Sequence, residues 1–256
     1  MSELVLVEDA EGVRTICFNR PDKKNALTRP MYSAAADALE SGDADPAIRV
    51  FIIAGAGGIF TAGNDLVDFM QAPPHVGGGE VPPVERFMRA LLNAKKPVVA
   101  AVDGLAIGIG VTMLMHCDLV YASPRASFKT PFVDLALAPE YGSSQVMPRM
   151  FGHVVAADLL LLGSTWDAEK AARYGLINEV ADDVEALARA SAANLAAKAP
   201  GSLRAAKELM RRPPEAIQER ITLEGGLFAE LLRSDEFAEA ATAFMERRKP
   251  DFSKFG

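Results

Sequence analysis

The hydrophobic pattern divides the chain into two unlike parts. Up to about residue 180, short apolar runs of strand length alternate with segments of helical spacing. Two of these runs, 49–54 and 97–102, contain almost only apolar residues, which is typical of strands buried on both faces. From residue 183 to 248 an alanine-rich helical pattern dominates, broken by proline and glycine at 200–201 and 213–214. The pattern predicts an α/β part at 1–180 and a helical part at 181–256.

Local signals predict further elements. Thr28 and Pro30 favour a helix start and Gly42 a helix end. Residues 71–85, rich in proline and glycine, are predicted to form a loop, and the glycine-interrupted stretch 104–110 a turn that opens a helix from Val111. Strands are also predicted at 3–8, 13–19, 119–122, 126–130 and 176–180, and helices at 31–39, from 66, and at 83–94, 154–162 and 167–174.

Composition narrows the class of protein. A formal net charge of -7 argues against general nucleic-acid binding, which requires a basic face. The two cysteines, Cys17 and Cys117, lie in apolar runs, so no disulfide framework is expected and a reducing cytoplasm is the expected location. The N-terminus has no signal-peptide pattern, and the longest uncharged apolar run, 104–115, is too short to span a membrane.

Several common motifs are incomplete. The glycine-rich stretch 55–63 ends in Gly-Asn-Asp, whereas a P-loop requires Gly-Lys-Ser/Thr. The pattern Gly108-Ile109-Gly110 lacks the third glycine of a dinucleotide site, because Met113 stands there. The three histidines, at 75, 116 and 153, lie far apart and are expected to be core or surface residues, so no metal site is predicted.

The stretch 103–141 carries the candidate chemistry. A turn that opens into a helix leaves backbone N–H groups without partners, and such groups favour negative charge. A carboxylate, Glu140, follows in an apolar neighbourhood. A base in an apolar pocket beside an anion-stabilising turn is suited to enolate chemistry.

Four motifs, in order, resemble those of the crotonase (enoyl-CoA hydratase/isomerase) superfamily over nearly the whole chain. They are NRPDKKNALTRPMY at 19–32, GIFTAGNDL at 58–66, KPVVAAVDGLAIGIGVTMLMHCDLVYAS at 96–123 and ASFKTPFVDLALAPEYGSSQVMPRMFG at 126–152. The resemblance implies an α/β fold, a spiral of strand–strand–helix turns followed by a helical trimerisation region. It also implies acyl-CoA thioester substrates, a homotrimer or dimer of trimers, no membrane partner and no separate cofactor.

The resemblance also assigns site residues. The backbone N–H groups of Asn64 and Ile109 would form the oxyanion hole. The two glutamates of the family's hydratases are replaced by Thr112 and Phe132, whereas Glu140 matches the base of the peroxisomal-type enoyl-CoA isomerases. Substrate and CoA contacts would fall on Lys24, Ala26, Leu27, Ala62, Asn64, Asp65, Leu66, Gly108, Ile109, Pro131, Phe132, Leu135, Phe244 and Arg247.

These assignments imply an isomerase that converts 3-enoyl-CoA to 2-trans-enoyl-CoA in fatty-acid oxidation, with Glu140 as its single base. A first alternative is hydration or another crotonase-type reaction. A second, of a different class, is a non-catalytic scaffold with this fold, which binds a ligand or associates with RNA. The acidic composition argues against RNA, and the two oxyanion loops together with Glu140 argue against an inactive site.

Overall fold

The computed structural model describes residues 4–71 and 81–255. Its strands form two sheets, one with the order β1-β2-β3-β4-β6-β9 and one with the order β5-β7-β8. Among the strands of the described residues, only the pairs β1–β2 and β7–β8 are antiparallel. The strands are β1 (Val5–Ala10), β2 (Val13–Phe18), β3 (Val50–Gly55), β4 (Val98–Val102), β5 (Leu105–Ile107), β6 (Leu119–Ala122), β7 (Ser127–Lys129), β8 (Trp166–Asp167) and β9 (Glu179–Val180).

Helices connect and cover the strands. The α-helices are α1 (Arg29–Ala44), α2 (Leu66–Gln71), α3 (Pro83–Asn93), α4 (Ile109–Thr112), α5 (Ser143–Phe151), α6 (His153–Leu160), α7 (Ala168–Arg173), α8 (Val184–Ala196), α9 (Pro200–Arg211), α10 (Ile217–Leu231) and α11 (Asp235–Glu246). Short 3-10 turns lie at Pro21–Lys23, Ala56–Gly58, Met113–His116 and Val133–Leu135. Within the described ranges, no helix is both long enough and apolar enough to cross a bilayer.

The chain winds so that successive turns contribute to both sheets. After β3 the chain forms an isolated parallel bridge between Thr61 and Ala106 of β5. After β4 it forms β5, and after β6 it forms β7, which pairs with β5. Each turn thus adds one segment to the large sheet and one to the small sheet. The predicted spiral of strand–strand–helix turns, with helices at its C-terminal end, is confirmed.

The central strands of the large sheet, β3 and β4, are buried on both faces, as the unbroken apolar runs predict. In β3, Phe51 and Ile53 enter the main core cluster with α1 and α3, whereas Val50 and Ile52 pack against α8 on the other face. Because adjacent strand residues point to opposite faces, a strand covered on both sides must be apolar throughout. The large sheet therefore forms the packed centre of the fold, and the loops extend from its strands.

The predictions for Gly42 and for the stretch 104–110 differ from the structure. Gly42 does not end the first helix, since α1 continues to Ala44. It lies against the ring of Phe51, where a Cβ atom would come within 2.5 Å of Cε1, so glycine there permits close packing. The predicted turn at 104–110 contains strand β5, which is too short to leave a periodic signal. The predicted loop at 71–85 lies largely outside the described residues, as does His75.

The boundary predicted at residue 180/181 stays a prediction. Helix α8, which begins just beyond it, belongs to the layered core, because Val184, Ala188 and Ala192 are buried against the large sheet. Helix α9 is also attached to this core, since Lys207 donates a hydrogen bond to Asp118 at 2.7 Å.

Candidate active site

Two loops that the chain separates by more than 40 residues run side by side. The N–H of Thr61 donates to the carbonyl of Leu105 at 2.8 Å, and the N–H of Ile107 donates to the carbonyl of Thr61 at 3.0 Å. Gly63 adopts φ +86°, and a Cβ atom there would lie 2.7 Å from the carbonyl oxygen of Ile107. Only glycine allows this approach without strain. The glycine therefore brings Asn64 close to the start of α4.

The N–H groups of Asn64 and Ile109 are free to act as donors. Gly108, with φ +58° and ψ −116°, turns the chain into α4, so Ile109 is the first helical residue and its N–H has no intrahelical acceptor. On the other loop, Leu27 donates to Gly63 and accepts from Asp65, and this parallel bridge does not engage Asn64 N–H. Neither N–H has an acceptor within residues 4–71 and 81–255. The two predicted oxyanion donors thus lie on adjoining loops.

Glu140 reaches the same helix. Its Oε1 accepts a hydrogen bond of 2.5 Å from the hydroxyl of Thr112, which is buried and lies about one turn after Ile109 on α4. Its Oε2 is buried and has no hydrogen-bond partner in the described part of the chain. Burial raises the pKa of the Glu140 carboxyl from 4.5 to about 7, against the lowering effect of the Thr112 hydrogen bond. Glu140 therefore presents one free oxygen and titrates near neutral pH.

Among residues 4–71 and 81–255, no second carboxylate influences the pKa of Glu140. Phe132 and Thr112, which the resemblance places at the positions of the two hydratase glutamates, are both buried. The pKa of Glu140 is set by burial and Thr112, with no charged side chain among its causes within the described residues. The arrangement can bind a developing oxyanion and transfer one proton at a time.

Two residues near the site have roles that the sequence interpretation did not assign. Tyr32, on α1, is buried, and its hydroxyl donates a hydrogen bond to Oδ1 of Asn64. Burial, and to a smaller degree the charge of Glu140, raises the pKa of this phenol. Thr112 was recognised only as a missing carboxylate, yet it is the hydrogen-bond partner of Glu140. The one available signal for Tyr32 was its position at the end of the first motif.

The predicted CoA-binding loop is held in a defined shape. The N–H of Ala62 donates to the carbonyl of Lys24 at 2.9 Å, and Lys24 itself is exposed with φ +53°. Asp65 forms a 2.6 Å ion pair with Arg20, which also donates to the carbonyl of Ala26. The Arg20–Asp65 pair is only partly buried, and it holds the loop that leads from Leu27 to α2. These residues therefore lie together along the edge that carries Asn64.

The apolar residues predicted to wall the acyl channel are divided between core and surface. Phe132 is buried and belongs to the main core cluster, whereas Leu135 and Leu66 are exposed. Pro131 is half-buried beside them in the chain. Exposed leucines next to a candidate site provide apolar surface that a bound acyl chain would cover.

Phe244 lies in the last turn of α11, and Arg247 directly follows this helix. Their helix, α11, is joined to α9 by Glu236, which accepts from the N–H of Gly201, and the chain end is held by Arg49, just before β3. The active-site loops follow the opposite end of β3. Phe244 is 85% exposed. Their contact with CoA stays a prediction.

Possible metal ligands are dispersed. Across residues 4–71 and 81–255, no three His, Cys, Asp or Glu side chains come together in a way that could hold a metal ion. In the described part of the chain, the groups beside the two oxyanion loops include backbone N–H donors, the hydroxyls of Tyr32 and Thr112 and the carboxyl of Glu140.

Comparison with known proteins places this geometry in a family. The family profile of enoyl-CoA hydratase/isomerase matches residues 8–254. The chain is 38% identical over 219 residues to enoyl-CoA delta isomerase 2 of Rattus norvegicus, covering 82% of this chain and 55% of that protein's length. It is 33% identical to 1,2-epoxyphenylacetyl-CoA isomerase of Escherichia coli K12, covering 99% of both chains.

A solved structure agrees. A protein from Magnetospirillum magneticum AMB-1, assigned to the enoyl-CoA hydratase/carnithine racemase group, is 48% identical, with a TM-score of 0.95 over 99% of this chain and 100% of that chain. With the rat isomerase and its human counterpart, by contrast, this chain spans 55% and 64% of the relative's length. The profile match, the relatives and the fold together establish that the chain belongs to the enoyl-CoA hydratase/isomerase family.

Proposed function

We propose that this protein is an enoyl-CoA isomerase that moves a double bond from position 3 to position 2 of an acyl-CoA thioester. The observation that carries the proposal is the environment of Glu140. One of its oxygens is held by Thr112, the other is buried and unpaired, and the carboxyl has a pKa of about 7. A group that titrates near the working pH can both accept and return a proton.

In the proposed reaction, the thioester oxygen lies between the N–H groups of Asn64 and Ile109. Ionised Glu140 removes a proton from the α-carbon, and the electron pair of that C–H bond moves to the thioester oxygen to give a dienolate. The two N–H groups stabilise its negative charge. The carboxylic acid then protonates the γ-carbon, and the remaining double bond lies between the α- and β-carbons. Glu140 returns to its starting charge, so no second acid or base is needed.

Hydration is less well supported by the same groups. Addition of water needs a base for the water and an acid for the α-carbon. The positions where hydratases carry these groups hold Thr112 and Phe132, and a phenyl ring neither gives nor takes a proton. Phe132 also keeps water away from its side of the pocket, since it is buried in the apolar core.

We also propose an oligomeric state and a cellular location for this protein. Large apolar side chains on α10 and α11 are exposed in the single chain, which supports a trimer or a dimer of trimers. They are Ile217, Ile221, Phe228, Leu232, Phe237, Phe244 and Met245. Both cysteines are free, which fits a cytoplasmic role in fatty-acid oxidation.

The decisive experiment is replacement of Glu140 by glutamine. Purified wild type is incubated with 3-enoyl-CoA, and formation of the conjugated 2-enoyl thioester is followed by its ultraviolet absorbance. E140Q should lose about a hundredfold to ten-thousandfold in turnover. Its affinity for a saturated acyl-CoA, measured by calorimetry, should stay nearly unchanged. Glu169→Gln, at an exposed position on α7, is the matched control and should keep full activity. Unchanged turnover in E140Q would reject Glu140 as the base.

A further inference from the structure

The backbone directly after Glu140 is in an unfavourable conformation. The next two residues, Tyr141 and Gly142, both adopt left-handed angles, with φ +56° and +74°. Glycine tolerates this region, but for tyrosine it is strained. A strained residue persists where surrounding contacts over-determine it, and such residues concentrate at functional sites. The contacts that hold Tyr141 therefore decide where the Glu140 carboxyl points.

One of these contacts comes from a buried histidine. Nε2 of His116 lies 3.0 Å from the carbonyl oxygen of Tyr141, so the ring donates when Nε2 carries the proton. The same ring lies on the tyrosine ring, with centroids 4.0 Å apart. Burial lowers the pKa of His116, which favours the neutral ring. At the other end of the side chain, the Tyr141 hydroxyl donates to the carbonyl of Met88 at 2.7 Å.

His116 is itself fixed to the oxyanion segment. It ends the 3-10 turn Met113–His116, which continues directly from α4. Its carbonyl accepts a 2.6 Å hydrogen bond from Arg211 of α9. The single short segment 109–116 thus carries an oxyanion donor, the hydroxyl that binds Glu140, and the imidazole that binds the peptide after Glu140. The carboxyl is held from both its side-chain and its backbone ends by one rigid unit.

We propose that His116 is a positioning residue for Glu140: its Nε2–H holds the Tyr141 peptide and so fixes the carboxyl over the α-carbon of the substrate. This inference rests on the proposed function. His116 touches neither substrate nor the reacting atoms. Its hydrogen bond sets the distance from the base to the oxyanion hole, and small displacements of a catalytic group reduce the rate of the chemical step.

Two variants separate the hydrogen bond from the packing of the ring. H116F keeps a flat ring on Tyr141 but has no donor, whereas H116Q keeps an N–H donor but loses the ring. If the hydrogen bond positions Glu140, kcat falls by about 10- to 100-fold in H116F with KM nearly unchanged, and H116Q recovers most of kcat. His153→Phe and His153→Gln, at the exposed start of α6, are the matched controls. If H116F does not fold, H116M replaces it as the variant without a donor.

The pH profile distinguishes positioning from a merely structural role. A released carboxyl moves toward water, so the pKa of Glu140 should fall and the acid limb of the kcat/KM profile should move to lower pH in H116F. An H116F enzyme with kcat within about twofold of wild type and an unchanged profile overturns the proposal, as does an H116Q enzyme that is the more impaired of the two.

A measurement that needs no turnover keeps this test independent of the proposed function. The stability of each protein is compared with that of its E140Q derivative across pH. In the wild-type background the two should diverge between pH 4.5 and about 7. In the H116F background this pH range, the window of divergence, should narrow toward pH 4.5. If wild type does not isomerise 3-enoyl-CoA but the window contracts, the proposed function fails and the positioning role stands. An unchanged window overturns the positioning role.

Discussion

Replacing Glu140 by glutamine is expected to change how the stability of this protein depends on pH. Burial raises the pKa of the carboxyl from 4.5 to about 7 in the folded protein. In the unfolded chain the carboxyl is solvated and its pKa returns to about 4.5. Between these two values the folded state keeps a proton that the unfolded state releases. Stability must therefore fall as the pH rises through this window.

The magnitude follows from the two pKa values. The contribution of Glu140 is fully present below pH 4.5, declines through the window and is lost above about 7. A difference of about 2.5 pKa units corresponds to about 3 kcal/mol, since each unit is worth 1.36 kcal/mol. Glutamine cannot ionise, so E140Q does not undergo this loss. Relative to wild type, its free energy of unfolding should rise by about 3 kcal/mol between about pH 4 and about pH 8.

The assay is urea unfolding of both proteins at several pH values and one fixed protein concentration. The concentration must be fixed because association between copies would add to the apparent stability. In E140Q an amide oxygen replaces the carboxylate as acceptor from Thr112, which adds an offset, but the comparison uses only the change with pH of the stability difference between the two proteins. Glu169→Gln, at an exposed carboxyl, is the control for the effect of removing one charge.

A stability difference between E140Q and wild type that does not change with pH would contradict this prediction. If the stability of E140Q relative to wild type changes by less than about 1 kcal/mol across this range, the carboxyl is not desolvated in the folded protein. Glu140 would then not titrate near neutral pH, whatever the activity of the variant.

The remaining predictions concern the chemistry and the assembly. Thr112→Val removes the hydrogen bond that lowers the pKa of Glu140, so the acid limb of the kcat/KM profile should move to higher pH and activity near pH 7 should fall. Thr112→Ser should restore the wild-type profile. Identical pH profiles in wild type and Thr112→Val would contradict the role of Thr112 in setting this pKa. Hydration of 2-enoyl-CoA should be slower than double-bond migration in wild type, and T112E with F132E should raise it; equal or faster hydration in wild type would overturn the isomerase proposal. Light scattering should give three or six times the 27.3 kDa of one chain, and a monomer at micromolar concentration would reject the assembly.

Local features of the sequence were sufficient to predict most elements of the fold. The continuous apolar runs predicted β3 and β4, because a strand covered on both faces has no polar position. The helices of the C-terminal part begin and end near the predicted breaks, since proline at 200 starts α9 and the prolines at 213–214 lie between α9 and α10. These signals are visible because propensity and periodicity act over a few neighbouring residues.

Short or tightly packed elements were not predictable in the same way. Strand β5 has three residues, too few to establish a period, and exists because Thr61 and β7 supply its hydrogen bonds from elsewhere in the chain. Gly42 resembled a helix end, but its reason is the ring of Phe51 across the core. In both cases a residue distant in sequence determines the local structure.

The family motifs, the two glycine loops and the position of Glu140 among them can be identified in the linear sequence. The properties that make Glu140 suitable as a base arise only when the chain folds. Its pKa of about 7 results from burial in the folded protein. Its hydrogen bond to Thr112 joins residues 28 positions apart, and the contact between His116 and the carbonyl of Tyr141 joins residues 25 positions apart. Tyr32 and Asn64, which are 32 positions apart, meet in the same way. The physical reason is that desolvation and hydrogen bonding depend on which groups surround an atom, and that is settled by folding rather than by order along the chain.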